Sequence, residues 1–285
     1  MRPPSDPRRA AADAARALAR RLAAARPDLA LLAATVAAPA LAPAPPDDAA
    51  LASLFAPDAP PRRLRAALRA DALRQRALAH LIHTHGFSPL APLVAWDDDA
   101  RHLRDALARG RAAAVSWHLG PYRAWPSAMA LVGAPCVSAA HLPTADWPST
   151  SRPFVVDTPA RRLAFLKAAA DALRTPGHVA FLALDGHEAD HPVPIPFLGR
   201  ALPLGTGAAA LARLTGAALV PVTARFAAGG RRLRFRSHPP VARPPGADDR
   251  AFTAALAAFF ERWARAHPDA LVLEEVEHVL RAPRA

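Results

Sequence analysis

One stretch near the middle of the chain constrains the fold more than any other: residues 112–125, AAAVSWHLGPYRAW. It begins with small and apolar residues, which are typical of a strand covered on both faces of a sheet. Gly120 and Pro121 then predict a tight turn with proline at the first position of a helix. This order puts His118 at the carboxyl end of a buried strand, where open α/β sheets bind ligands. His118 is therefore the first candidate for chemistry.

The segments around this stretch alternate between strand and helix patterns. Residues 93–96 predict a short strand, and the sequence DDDARHLRDALARG that follows predicts a helix. Residues 179–184, VAFLAL, form a second apolar run typical of a buried parallel strand. Residues 217–226 predict a further strand, broken by Pro221. The pattern predicts an α/β fold: a single domain with a mixed, mostly parallel central sheet flanked by helices.

The amino-terminal part has a different composition. Residues 8–26 are rich in alanine and arginine and predict a helix, whereas residues 39–61 repeat proline and alanine and predict a linker with a short helical insert. We therefore divide the chain into a helical, Pro/Ala-rich extension over residues 1–49 and an α/β domain over residues 50–285. Residues 141–153 are predicted as a loop, and the prolines between residues 185 and 206 predict that this segment is not a helix.

Charge and cysteine content limit the partners and the compartment. The 285 residues include 36 Lys and Arg against 24 Asp and Glu, a net charge of 36 − 24 = +12. Such a balance favours nucleic acid, an anionic membrane surface or an acidic carrier protein, although a bias towards arginine codons explains it equally well. The single cysteine, Cys136, excludes an internal disulfide and fits a reducing compartment. The longest apolar run, residues 29–44, is interrupted by two prolines and predicts no membrane span.

Two clusters suggest ligand sites away from His118. His187, Asp190 and His191 invite a metal interpretation, but the neighbouring prolines make a shared helix face improbable, and we expect no metal site. Arg200, Gly205 and Thr206 surround the start of the next predicted helix and suggest a rim that binds a phosphate or a thioester. No nucleotide-binding fingerprint accompanies them, and basic and aromatic residues are not interleaved as in nucleic-acid recognition motifs, so we expect no nucleic acid partner.

The order of the motifs is similar to a known family. ARGRAAAVSWHLGPYRAW, then VAFLALDG, then PIPFLGRALPLGTGAAALARLTGAALVPVTARF resemble the bacterial lysophospholipid acyltransferase superfamily, specifically its lipid A lauroyl/myristoyl acyltransferase branch. The likeness runs from about residue 50 to about residue 280 and is most specific over residues 194–226. It implies transfer of a fatty acyl group from an acyl carrier protein or coenzyme A thioester to a hydroxyl or amine of a lipid-like acceptor. It also implies no bound cofactor, and a cytoplasmic protein or one peripheral on the cytoplasmic face of the inner membrane.

The resemblance assigns the catalytic motif, histidine followed by an acidic residue five positions later. His118 takes the histidine position, and the acidic position falls on Arg123. A carboxylate in the first helical turn would orient the imidazole and stabilise its protonated form, which arginine does not do. Asp185 and Glu188 follow the second buried strand and are the candidates to replace it, and Asp185 matches a position that is usually aspartate in the family.

The remaining site candidates follow from these positions. Besides Glu188, Arg200, Gly205 and Thr206, the predicted substrate-binding residues are Gly120, Tyr122 and Arg123. Arginine binds phosphate in a bidentate manner, so Arg123 is a candidate ligand for a phosphate of the donor or of the acceptor. Two hypotheses stay open at this point. The chain is an acyltransferase with His118 as general base, or it is a catalytically degenerate relative that binds lipid or acyl carrier protein.

Overall fold

The computed structural model describes residues 25–55, 58–140, 146–185 and 191–285. Within these ranges the helices are α1 (Pro27–Leu41), α2 (Asp48–Phe55), α3 (Pro61–His85), α4 (Arg101–Arg109), α5 (Trp125–Val132), α6 (Pro159–Arg174), α7 (Gly207–Thr215), α8 (Asp249–Ala266) and α9 (Leu273–Arg281). The strands are β1 (Val94–Trp96), β2 (Ala112–Ser116), β3 (Cys136–Ala140), β4 (Ser151–Val155), β5 (Val179–Ala183), β6 (Val193–Phe197), β7 (Arg200–Leu204), β8 (Ala218–Ala227) and β9 (Arg232–Ser237).

Seven of these strands form one sheet in the order β1-β9-β8-β2-β5-β3-β4. Neighbouring strands run parallel, except that β8 and β9 are antiparallel. β2, the strand that leads to His118, is therefore the central strand and has parallel neighbours on both sides. The predicted fold class, a single α/β domain with a mixed, mostly parallel sheet flanked by helices, is confirmed.

The side chains of β2 face two hydrophobic cores, one on each side of the sheet. Ala113 and Val115 belong to the core that includes α2, α6, α7 and α8, whereas Ala112 and Ala114 belong to the core that includes α4 and α5. Every residue of β2 is buried. Because alanine is small and successive strand residues point to opposite faces, α4 approaches this strand closely on one face.

The amino-terminal helix α1 packs against α3. Arg74 on α3 donates a hydrogen bond to the Thr35 hydroxyl on α1 at 2.8 Å. Most of the helix predicted over residues 8–26 lies outside the described residues. The predicted boundary at residue 49 stays a prediction. In the part of the chain that the structure describes, we find no helix both long enough and apolar enough to span a membrane.

The proline-rich segment after residue 190, where we predicted no helix, contains two strands that we did not predict. β6 and β7 form an antiparallel hairpin in which Pro194 lies opposite Pro203. Residue pairs along an antiparallel ladder are alternately hydrogen-bonded and not hydrogen-bonded. Pro194, Pro196 and Pro203 all fall in pairs of one kind, so the pairs of the other kind can form the ladder hydrogen bonds without them. Ile195 and Phe197 point inward and are buried. Buried residues alternate with exposed prolines here, and this period of two is typical of a strand. We did not recognise it because of the prolines.

Two predictions that concern strands were wrong. Residues 151–153 of the predicted loop belong to β4, which is an edge strand paired with β3. Pro153 is tolerated there because an edge strand has one side without a ladder partner. β8 is also not broken at Pro221, which stays paired with Val115 while its carbonyl accepts a hydrogen bond from the His238 N–H at 2.9 Å.

Candidate active site

His118 and Asp185 occupy corresponding positions after two neighbouring strands. Ser116 at the end of β2 pairs with Ala183 at the end of β5, and each strand continues for two residues to the polar side chain. The Leu184 N–H donates to the Ser116 carbonyl at 2.9 Å, which extends the pairing beyond the strands. The two side chains therefore meet at the carboxyl edge of the sheet.

The Asp185 carboxylate contacts both the backbone and the ring of His118. Its Oδ2 accepts a hydrogen bond from the His118 backbone N–H at 2.8 Å, and its Oδ1 lies 3.0 Å from the ring Nδ1. Only 2% of the Asp185 side chain is exposed. Because one carboxylate oxygen contacts the backbone N–H and the other contacts the ring, Asp185 fixes the orientation of the imidazole relative to the backbone. Nδ1 lies at hydrogen-bond distance from a buried carboxylate, and when Nδ1 carries the proton of the neutral ring, the lone pair is on Nε2.

Glu275 is a second carboxylate beside the same ring, and the sequence analysis missed it. It lies in the first turn of α9, is buried, and places Oε1 3.9 Å from His118 Nδ1. The sequence did contain a sign that Glu275 is buried. It lies on the same helix face as Val272, Val276 and Val279, which are buried at helical intervals. A carboxylate inside such a stripe indicates a buried polar contact.

The surroundings of His118 act on its pKa in opposite directions. Burial lowers the pKa of the imidazole, but the carboxylates of Asp185 and Glu275 raise it, whereas the Arg123 guanidinium lowers it. The net pKa lies above its ordinary value. The site therefore stabilises the protonated imidazole, which is the state that a general base reaches after it has taken a proton.

The turn after His118 depends on Gly120. Its φ is +55°, and a side chain at this position would collide with the Ala224 carbonyl on β8. Its N–H donates to the Ala270 carbonyl at 2.6 Å, and its carbonyl accepts a hydrogen bond from the Gln75 side chain. Only glycine fits a turn that combines this backbone conformation with such close packing.

The helix after this turn begins later than we predicted. Pro121 has a non-helical ψ of 47°, residues Tyr122–Ala124 form one turn of 3-10 helix, and α5 begins at Trp125. The hydrogen bonds on both sides of Gly120 hold the backbone out of the α-helical path. Arg123 is therefore not in the first turn of an α-helix, and the capping argument that we applied to it does not hold.

Tyr122 and Arg123 lie next to each other beside the histidine. The Tyr122 ring meets the His118 ring edge to face with centroids 4.4 Å apart, and the Arg123 guanidinium lies 5.0 Å from the centre of the Tyr122 ring. Burial raises the pKa of the Tyr122 phenol, so it stays neutral. Tyr122 therefore contacts both the histidine and the cation.

The structure does not bring every predicted substrate-binding residue to His118. Glu188 lies outside the described residues, as do His187 and Asp190 of the metal interpretation. Arg200 begins β7 and donates to the Ala282 carbonyl at 3.4 Å. Thr206 precedes α7 without capping it through its side chain, and Gly205 lies beside it. The rim formed by Arg200, Gly205 and Thr206 stays a prediction.

His118, Asp185 and Glu275 also raise the question of a metal ion. Among the described residues, their ligand atoms lie within 4.8 Å of one another. Two ligand atoms on a tetrahedral zinc ion at about 2.0–2.2 Å would stand about 3.4 Å apart. The 3.0 Å between His118 Nδ1 and Asp185 Oδ1 is instead an ordinary hydrogen-bond distance. The arrangement fits proton transfer better than metal binding.

Comparison with known proteins gives a family match over part of the chain. Residues 155–273 match the family described as bacterial lipid A biosynthesis acyltransferase, which confirms the resemblance found in the sequence motifs. The matched segment contains Asp185 but not His118 or Glu275. Comparison with curated proteins finds no match. Among solved structures, a 1-acyl-sn-glycerophosphate (LPA) acyltransferase, PlsC, from Thermotoga maritima is 15% identical over 70% of this chain and 83% of its own, with a TM-score of 0.39. A likeness of that size does not bear on the fold or the activity.

Proposed function

Because residues 155–273 carry the match to the bacterial lipid A biosynthesis acyltransferases, we propose that this chain transfers an acyl group from a thioester to a lipid-like acceptor. The observation that carries the proposal is the buried Asp185 carboxylate against both the backbone N–H and Nδ1 of His118. It supplies the orienting carboxylate that the motif lacks at Arg123. This contact favours an active enzyme over the degenerate relative that we also considered.

The proposed step begins with proton transfer to His118 Nε2. The acceptor hydroxyl or amine gives its proton to Nε2 while its oxygen or nitrogen attacks the thioester carbonyl carbon. Collapse of the tetrahedral intermediate breaks the carbon–sulfur bond, and the imidazolium returns the proton to the leaving thiolate. The bond formed is an ester or an amide, and the second product is the free thiol. Asp185 holds the ring during both transfers and stabilises its charged form.

The donor and the location are also proposals. An acyl carrier protein is acidic, and the net charge of +12 would attract it, as it would an anionic membrane surface. Coenzyme A thioesters are the alternative donors. We place the chain in the cytoplasm or on the cytoplasmic face of the inner membrane, where these thioesters and lipid acceptors meet.

The test of the function is release of thiol from an acyl thioester. Purified protein is given acyl carrier protein and coenzyme A thioesters of several chain lengths, with and without lipid acceptors, and free thiol and acylated product are measured together. We expect thiol release that requires the acceptor and equals the acylated product. Thiol release without an acylated product would indicate a thioesterase, and no release with any donor would contradict the proposal.

We expect Arg123→Glu to give no gain in activity, although it restores the acidic residue of the family motif. Asp185 already faces Nδ1, and a carboxylate at residue 123 would raise the pKa of His118 further and leave less neutral base at pH 7. Loss of the cation–π contact between Arg123 and the Tyr122 ring predicts a kcat/KM lower by about 3- to 10-fold. A gain of tenfold or more would favour the degenerate hypothesis. Arg123→Lys is the matched variant that keeps the charge.

We expect Glu275→Gln to move the acid limb of the pH profile to lower pH. The base must be neutral, so kcat/KM rises as pH passes through the pKa of His118, and removing a carboxylate that raises this pKa brings the rise to lower pH. The plateau should change by less than about tenfold, since the base itself remains. The measurement is kcat/KM against pH, with the exposed Asp105→Asn as control. An unmoved midpoint would contradict the role of Glu275.

A further inference from the structure

A buried amide on α3 reaches the turn that follows His118. Gln75 is 7% exposed, and its Nε2 donates to the Gly120 carbonyl and to Asp71 Oδ1, the latter at 3.2 Å. Both protons of the amide are used in these two hydrogen bonds. In the opposite orientation the Gln75 oxygen would face the Gly120 carbonyl oxygen, and two acceptors would meet. The orientation of the amide is therefore fixed.

The carbonyl of Gly120 connects this amide to Tyr122. The same oxygen accepts a hydrogen bond from the Tyr122 N–H at 2.8 Å, while the Gly120 N–H donates to the Ala270 carbonyl at 2.6 Å. A carbonyl oxygen has two lone pairs, and here one is used by Tyr122 and the other by Gln75. The peptide groups on both sides of Gly120 are thus held by residues that are distant in sequence.

The backbone between Gly120 and Tyr122 has a conformation that needs this support. Pro121 has φ −74° and ψ 47°, and together with the hydrogen bond from Tyr122 to Gly120 it forms an inverse γ-turn. A proline after glycine would otherwise suit the start of a regular helix. Without the Gln75 amide, we expect the turn to relax towards that helix start, which would move Tyr122.

Tyr122 is a contact that fixes the ring of His118. The two rings meet edge to face with centroids 4.4 Å apart, a geometry that depends on the direction of both ring planes. Asp185 and Glu275 lie near a single atom of the imidazole, Nδ1, so they restrain its tilt less than a neighbouring ring does. The position of Tyr122 therefore affects the direction in which Nε2 points.

We propose that Gln75 is a positioning residue for the proposed general base. Through the Gly120 carbonyl it holds Tyr122 against the His118 ring, and the ring then directs Nε2 at the acceptor. This inference rests on the proposed acyl transfer and adds a residue that lies 45 positions before Gly120 in sequence. Gln75 is buried and acts through the turn, so it is not itself a catalytic residue.

The first test is Gln75→Met, which keeps the length of the side chain and removes the amide protons. We expect kcat for acyl transfer to fall about tenfold, because the base is less well aligned in the transition state. KM should stay within about twofold, since no group that binds substrate is removed. An unchanged kcat, or a loss that appears only in KM, would overturn the proposal.

Thr253→Val is the matched control for the loss of a buried hydrogen bond. Thr253 is fully buried near the start of α8, and its Oγ1 donates to the Asp249 carbonyl at 2.7 Å. This variant should lower the melting temperature and leave kcat unchanged. Equal losses of kcat in both variants would mean that Gln75 acts through stability alone. If Gln75→Met does not fold by circular dichroism, Gln75→Asn, whose amide is one carbon shorter, replaces it with the same expectation.

A double variant tests the path through Tyr122. In a Tyr122→Leu background there is no ring for the turn to hold against His118. Adding Gln75→Met should then lower kcat by less than about twofold instead of about tenfold, because the two residues act through one contact. Losses that multiply would show that Gln75 does not act through Tyr122.

Nuclear magnetic resonance of the imidazole gives a readout that does not need turnover. In histidine-labelled protein, the His118 signals are those missing from His118→Ala, and the ring current of Tyr122 shifts them. Gln75→Met should move these signals towards their positions in Tyr122→Leu, whereas Thr253→Val should leave them in place. Signals unmoved by Gln75→Met would overturn the proposal.

The two measurements separate the positioning role from the activity. Moved His118 signals in a chain that fails the thiol-release test would support the positioning role and contradict the acyltransferase. Thiol release together with unmoved signals and an unchanged kcat in Gln75→Met would support the enzyme and reject the role of Gln75.

Discussion

Replacing His118 by alanine should lower kcat for acyl transfer by about 10²- to 10⁴-fold, the usual contribution of a positioned general base. The substitution removes the nitrogen that we propose takes the acceptor proton. KM should change little, because the lost interaction belongs to the transition state. The measurement is the initial rate of thiol release at saturating donor and acceptor.

His80→Ala is the matched control for this loss. His80 is an exposed histidine on α3, so its removal should leave kcat unchanged. Among the described contacts, His118→Ala leaves the buried Asp185 carboxylate with its hydrogen bond from the backbone N–H of residue 118. Circular dichroism and thermal unfolding therefore check that the variant is folded. A folded His118→Ala protein with full turnover would remove His118 from the mechanism.

Asp185→Asn should lower kcat almost as far, by about 10²- to 10⁴-fold, although it changes one atom. The asparagine side-chain oxygen must face the backbone N–H of His118, because the opposite orientation would place the amide NH₂ and this N–H, both donors, together. The amide NH₂ then points at Nδ1, which has to accept. The ring proton moves to Nε2, and the nitrogen that should take the acceptor proton already carries one.

A double variant tests whether Asp185 acts through His118. If Asp185 acts only through His118, then adding Asp185→Asn to His118→Ala should cost little beyond the loss of His118→Ala alone. Asp171→Asn, at an exposed aspartate on α6, serves as control. Asp185→Asn activity within threefold of the original, or multiplied losses in the double variant, would show that Asp185 does not orient the base.

Much of the site was predictable because two of its residues come directly after buried strands. The small residues before His118 and the apolar run before Asp185 identify two buried parallel strands, and the carboxyl ends of such strands share one edge of a sheet. The sequence could not show that β2 and β5 are neighbours. That contact is the result of long-range pairing, and the structure supplies it through the register of Ser116 with Ala183.

The rest depended on contacts that local patterns do not contain. Helix α5 begins late because Gln75 and Ala270, far away in the chain, hold the backbone of Gly120. Glu275 reaches the histidine from the last helix, and no spacing near His118 indicates it. Propensity misled us in the hairpin of β6 and β7, where tertiary packing of Ile195 outweighed the prolines.

The register of β2 with β5 also decides when the site forms during folding. His118 and Asp185 are separated by 67 positions in sequence, and their contact exists only after the two central strands have paired. The backbone N–H of His118 is hydrogen-bonded to the buried Asp185 carboxylate, so its hydrogen should exchange with solvent only when the central sheet opens. A partly folded chain would then have an unoriented histidine, and the proposed base would be oriented in the same cooperative event that closes the core.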